Sequence, residues 1–210
     1  MARTSCTTVL RRSRFLLERG VWCQFAAAEA DSGRYGDLFE RVLGRDQAIR
    51  LRTSPIGSWT DTDCAAARRG VTAIRGDYLR PIFDAKPDWS IGWLPVEQLA
   101  RVQVIRLTPF LAIAPERDLY TFVRALDEGR DTPGDGFGAG YRKVRPNFDP
   151  GRMRGCPILV GRNDGGPYTE VEGLTRMSCI LSRHLAGEPR PAEVEVVLGV
   201  SPRINEWPFL

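Results

Sequence analysis

Lysine is nearly missing from this chain: Lys86 and Lys143 are the only two among 30 basic residues, and all the others are arginine. Histidine is rarer still, with His184 standing alone. A histidine-based catalytic triad would have to use that residue, and nothing near it reads as a nucleophile elbow. The five cysteines, Cys6, Cys23, Cys64, Cys156 and Cys179, are odd in number, and no two stand at C-x-x-C spacing. A zinc site and a disulfide framework are therefore not expected, and reduced thiols in a cytoplasmic protein are. No Gly-Lys-Ser/Thr occurs, which removes a Walker A loop. No apolar run approaches the roughly 18 residues of a membrane span, so no membrane association is expected. Met1 to Arg14 holds arginines and hydroxyl residues but neither the apolar stretch nor the small-residue cleavage site of a secretory signal.

The apolar share of 42% in 210 residues suffices for one good core, or for one core and a small satellite. The net charge of +4 permits anionic partners, nucleic acid included. The excess is spread out, without a basic block, so nucleic acid is not the favoured partner. Arginine dominance suits bidentate phosphate contacts, although a GC-rich genome produces the same bias.

Along the chain, apolar spacing from Leu10 to Ala26 predicts a helix over 7–30, broken at Asp31-Ser32-Gly33. A short helix is expected from Asp37 to Leu43, stopped by Gly44. Residues 45–95 hold a turn at Ser54-Pro55-Ile56-Gly57-Ser58, an alanine-rich helical stretch near Cys64, and Trp59, Trp89 and Trp93, which should pack on something. Residues 1–95 are thus expected to form an α-rich N-terminal extension. From residue 96 the pattern changes. Val102 to Leu107 alternates and reads as a strand. Pro115 and Glu116 open a helix whose Leu119, Phe122, Val123 and Leu126 form an apolar stripe, ended by Gly129. Arg130–Gly151 reads as a long polar loop whose Gly134–Gly140 run is either a plain flexible loop, the favoured reading, or a lid that orders over nucleotide phosphates. Arg142, Lys143 and Arg145 follow the glycines and could add positive charge to the same site or simply be solvated. Strands at Pro157–Val160 and Tyr168–Glu172 flank an Asn163–Pro167 turn. A helix from Thr175 to Leu185 with Met177, Ile180, Leu181 and Leu185 inward, and a strand at Val194–Leu198, complete 96–210 as an α/β (α+β) domain with a mixed sheet. His184 lies near that inward stripe and reads as a structural histidine. Trp207 and Phe209 should pack on the domain.

The chemically informative stretch is Tyr168 to Arg176. A strand runs into Gly173 and directly into a helix start, whose first N–H groups lack helical acceptors and attract an anion. Thr175 offers a hydroxyl donor and Arg176 a guanidinium fork. Glu172 ends the strand beside the same anion, an unfavourable position unless a cation bridges the two, and this points to Mg²⁺; the alternative is a strand-end carboxylate salt-bridged to a neighbouring arginine, with Arg176 capping the local structure without a ligand.

This order of elements, with Pro157-Ile158-x-Val160 ahead of Glu172-Gly173-x-Thr175-Arg176, resembles the ParB/sulfiredoxin superfamily over about half the chain. The resemblance implies a nucleotide-binding fold with Gly173, Leu174, Thr175 and Arg176 around phosphate. Sulfiredoxins carry a catalytic cysteine where this chain has Leu174, so their chemistry is not expected. ParB segregation proteins add a helix-turn-helix domain, for which residues 199–210 leave no room. The free serine kinases of the superfamily carry Asp-Gly-His-Thr-Arg at the turn, and Glu172-Gly173-Leu174-Thr175-Arg176 matches all but the histidine. By that resemblance Glu172 is a catalytic and metal-binding carboxylate, and Glu116 stands for the second carboxylate such kinases use. The function so implied is Mg²⁺-dependent phosphoryl transfer from ATP or ADP to a small hydroxylated metabolite. The alternative is a non-catalytic nucleotide switch or a DNA-associated regulator.

Overall fold

A computed structural model of the chain describes residues 11–30, 32, 35–134 and 136–210. Among them, one five-stranded mixed sheet organises the molecule, in the order β1 (Arg11–Phe15), β2 (Asp88–Pro95), β5 (Glu193–Val200), β3 (Ile158–Gly161), β4 (Tyr168–Glu172). β1 and β5 flank β2 antiparallel, β3 runs parallel to β5, and β4 closes the far edge antiparallel to β3. The α/β (α+β) class and mixed sheet expected from the pattern are present.

The N-terminal residues do not stand apart from that sheet. β2 pairs with β5 over its full length, Asp88 opposite Val200 and Pro95 opposite Glu193. The boundary expected at 95/96 therefore falls at the end of a sheet strand, and residues on both sides share one core that includes Phe25, Leu79, Ile91, Leu159 and Val197. The helix expected over 7–30 divides. Residues 11–15 form β1, and α1 runs from Glu18 to Glu29, with Val21, Phe25 and Ala26 buried. Pairing with the β2 edge overrides the local helical spacing, a tertiary effect that propensity does not report. Residues 7–10 of that expectation lie outside the described residues.

α2 (Gly36–Leu43) ends at Gly44 as its sequence indicates, with φ +82 at the glycine. α3 (Arg45–Thr53) follows, and the alanine-rich stretch belongs to a long helix, α4 (Asp61–Asp84). Its start is set by a capping box: Thr60 Oγ1 accepts from the Asp63 N–H, and the Asp63 carboxylate accepts from the Thr60 N–H at 2.8 Å. Asp63 is buried and also receives Arg50 at 2.6 and 2.9 Å, tying α3 to α4. The C-terminal aromatics pack back on the same helix: Trp207 Nε1 donates to the Tyr78 carbonyl, and the Trp207 and Phe209 rings lie 5.3 and 5.1 Å from the Tyr78 ring.

Three further expectations are corrected. Val102–Leu107 is not a strand: Gln103 alone bridges, to Thr169 on one side and Asp118 on the other, before the chain bends and Arg106 N–H donates to the Phe209 carbonyl. Val102, Val104 and Ile105 are all buried, so the adjacent pair Val104 and Ile105 departs from the expected alternation. After α5 (Thr108–Leu111), α6 runs Leu119–Asp127 and not from Pro115. Asp118 caps it by accepting from the Thr121 N–H at 2.7 Å, and Arg117, at φ +64, cannot belong to a helix. Finally, the expected loop at 130–151 contains α7 (Phe137–Val144), whose Phe137 ring joins Phe110 and Phe122.

Candidate functional site

β4 leads through Gly173 into α8 (Leu174–Leu185), as the sequence indicates. Gly173 has φ +100, a left-handed conformation open to glycine. A Cβ there would also stand 2.9 Å from the Pro157 Cβ, so the glycine lets the turn rest on the residue that opens β3. Just before it, Val171 is an extra residue: Leu159 pairs with Glu170 while the adjacent Ile158 pairs with Glu172. Such a bulge changes the direction of the following side chain, so strict alternation does not set where Glu172 points.

The carboxylate of Glu172 meets the Arg176 guanidinium one helical turn on, and both side chains are mostly buried. Arg176 also donates to the backbone carbonyls of Arg154, at 2.8 Å, and Gly155. The guanidinium thus ties α8 to the segment before β3 in addition to neutralising Glu172. Burial pushes the Glu172 carboxyl above its ordinary range, and Arg176 opposes that rise. Thr175 is partly exposed, and its hydroxyl has no partner among the described residues. Leu174 is a core side chain, 6% exposed; only its N–H takes part in the turn. The structure therefore brings Glu172, Gly173, Thr175 and Arg176 together. Glu116 is not among them: it is exposed in the turn before α6, shares no hydrogen bond or ion pair with the four among the described residues, and does not lie inside the helix it was expected to open.

Sequence reasoning missed the groups behind the turn. Glu170 is 4% exposed, and the backbone N–H of Leu174 at the start of α8 favours its charged form. Its Oε2 has no partner. Burial, reinforced by the Glu172 charge, pushes Glu170 up to about 8, so near neutrality it is largely protonated. Arg75 of α4 and Glu29 of α1 act on the same carboxyls. Arg75 pairs with Glu29 at 2.8 Å and lies over the Tyr35 and Tyr78 rings. Burial, and next the Glu170 charge, raise the Tyr78 phenol well above its ordinary value. The one available signal was a pair of glutamates at positions 170 and 172 of an otherwise buried strand. Nothing in sequence links them to α4.

Two of the basic residues after the glycine run, Arg142 and Arg145, are committed elsewhere. Arg142 pairs with Asp131 at 2.9 Å. Arg145 donates to both Glu188 oxygens and to Ser182 Oγ, and Ser182 in turn reaches Asp127 at 2.9 Å. Asp127, Arg142, Arg145 and Ser182 line a cleft of about 520 Å³ between α6, α7 and α8, which residues 172–176 do not line. A second cleft, of about 340 Å³, reaches Gly155 and Cys156 beside the Arg176 anchor. His184 is half-buried near the end of α8, and its Nδ1 accepts from Arg190 Nε at 2.7 Å. Leu185, expected inward, is exposed.

Comparisons with protein-family models, with curated proteins and with solved structures find no match.

Among the described residues no group of three or more histidine, cysteine, aspartate or glutamate side chains is placed to hold a metal ion. That leaves Glu172 as the single carboxylate of the turn. One carboxylate is compatible with Mg²⁺, which keeps several waters and is commonly held by one or two carboxylates plus a ligand's phosphates.

Proposed function

We propose that the turn at 172–176 binds the phosphates of a nucleotide with Mg²⁺, and that the protein transfers a phosphoryl group from ATP or ADP to a small hydroxylated acceptor. The observation that carries this reading is the Glu172–Arg176 pair at the first turn of α8, beside the unpartnered Thr175 hydroxyl. A carboxylate and a guanidinium that neutralise each other across a helix N-terminus are the two groups a metal–phosphate pair would engage. Mg²⁺ would be held by Glu172 and the ligand's own oxygens, where it would offset phosphate charge. Arg176, Thr175 and the first α8 N–H groups would orient the phosphate. Phosphoryl transfer asks little else of a protein than such positioning and charge stabilisation.

Thermal shift with ATP, ADP, CTP, GTP and AMP, each with and without Mg²⁺, is the first test. One nucleotide should raise Tm only with Mg²⁺, and Thr175→Val, which keeps shape and removes the hydroxyl, should reduce that rise. Arg176→Ala should weaken binding by about 1.5–3 kcal/mol, the value of a charge-assisted contact. Glu116→Ala, which lies apart from the turn, should leave both the shift and transfer in a phosphorylation assay unchanged. No shift from any nucleotide at millimolar concentration would overturn the reading.

A further inference from the structure

Two thiols that the turn does not involve face each other across the helical layer. Cys23 lies on α1 and Cys64 in the first turn of α4, 41 positions apart, and their Sγ atoms are 3.0 Å apart. Neither is bonded to another sulfur. Unbonded sulfurs seldom approach so closely, and a disulfide needs an approach to about 2.05 Å, a further movement of about 1 Å. The two sulfurs are not equivalent. Cys23 is 3% exposed, and burial, with the Cys64 hydrogen bond next, pushes its thiol up to about 12. Cys64 is partly exposed and so is the sulfur a solvent-borne reagent reaches.

We propose that Cys23 and Cys64 are an oxidation site, a dithiol that hydroperoxides convert reversibly to a disulfide bolting α1 to α4. Cys64, as thiolate, attacks the peroxide oxygen; the O–O bond breaks, Cys64 becomes a sulfenic acid, and water or an alcohol leaves. The Cys23 sulfur then attacks the sulfenic sulfur. The S–S bond forms, the S–O bond breaks, and the departing hydroxide takes the Cys23 proton and leaves as water. The two sulfurs together give two electrons to one peroxide. The held geometry offsets the weak nucleophilicity of Cys23, because the second step is intramolecular.

The consequence reaches beyond the two residues. α1 and α4 also carry the Glu29–Arg75 pair that stands behind Glu170 and Glu172. The disulfide would add a covalent fastening between the helices that bear this pair.

The test is titration of the purified full chain with hydrogen peroxide, followed by alkylation, intact mass and peptide mapping. Expected are the loss of two hydrogen atoms, two fewer alkylated thiols and a Cys23–Cys64 cross-linked peptide, all reversed by dithiothreitol. Closing so long a loop should raise Tm by roughly 5–10 °C. Cys64→Ser should form no cross-link and show no oxidant-dependent rise. Should that variant fold poorly, Cys64→Ala supplies the same control. Oxidation of Cys64 to sulfinic acid without cross-linking, or a cross-link through Cys6, Cys156 or Cys179 instead, would overturn the proposal.

Discussion

Glu170 and Asp63 show how differently two buried carboxyls can be managed. Glu170 forms no ion pair among the described residues, and burial with the Glu172 charge pushes it up to about 8, which favours its neutral form near pH 7. Glu170→Gln keeps the volume and the neutral charge, so at pH 7 Tm should change little. Glu170→Ala opens a cavity, at a cost of about 2–3 kcal/mol by chemical denaturation. Asp63 is the opposite case. The Arg50 guanidinium holds its carboxyl well below the ordinary carboxylate range, against the upward push of burial. A depressed folded value means stability that is present above the unfolded value, near pH 4, and lost as pH falls through the folded one. Asp63→Asn should cost about 1–2 kcal/mol at pH 7, through the cap and the charge-assisted bonds. The gap in Tm between wild type and Asp63→Asn should shrink steadily below pH 4. A gap that stays constant from pH 7 to pH 2 would show that the Arg50–Asp63 contact contributes nothing through charge.

Among the elements, glycines separate positions where the chain needs absence of a side chain from positions where it does not. Gly173→Ala forces a Cβ into the left-handed region and against Pro157, and should cost about 1–3 kcal/mol while loosening the turn. Gly199→Val places atoms within the Trp89 ring, whose carbons already lie 2.5–2.8 Å from an ideal Cβ, and should cost about 1–3 kcal/mol or more in Tm-derived stability. Gly140, inside α7, has open space around its Cβ position. Gly140→Ala should therefore stabilise by about 0.5–1 kcal/mol, through helix propensity alone. Much of this scale was readable in sequence. The β3–turn–β4–Gly173–α8 run stands where its pattern placed it, because strand alternation, turn chemistry and a helical stripe agree over consecutive residues. β1 and the end of the Gln103 segment were not readable, because an edge pairing depends on a partner far away in the chain.

For the whole molecule, the decisive fact is that residues before and after 95 complete one another. Arg154 donates to the carbonyls of Leu51 and Ser54, the Cys156 N–H donates to Gln24, and Ser201 donates to the Ala85 carbonyl at 2.6 Å. A fragment of residues 96–210 would expose the β5 edge and uncover Trp207, so it should lack a cooperative unfolding transition by calorimetry and aggregate. A fragment that unfolds cooperatively at a Tm near that of the full chain would show that 96–210 is a domain in its own right. The sequence by itself determined the α/β class, the helix and strand run around Gly173, the left-handed glycine, and the proximity of Glu172, Thr175 and Arg176, since all of these follow from contacts within a few residues. Only the tertiary structure decided that Arg176 is held by the Arg154 and Gly155 carbonyls, that Glu170 is buried behind the turn with Arg75 and Glu29 acting on it, that Glu116 lies apart, and that Cys23 faces Cys64. Each of these depends on how separate elements pack, and neither periodicity nor local spacing carries information about that.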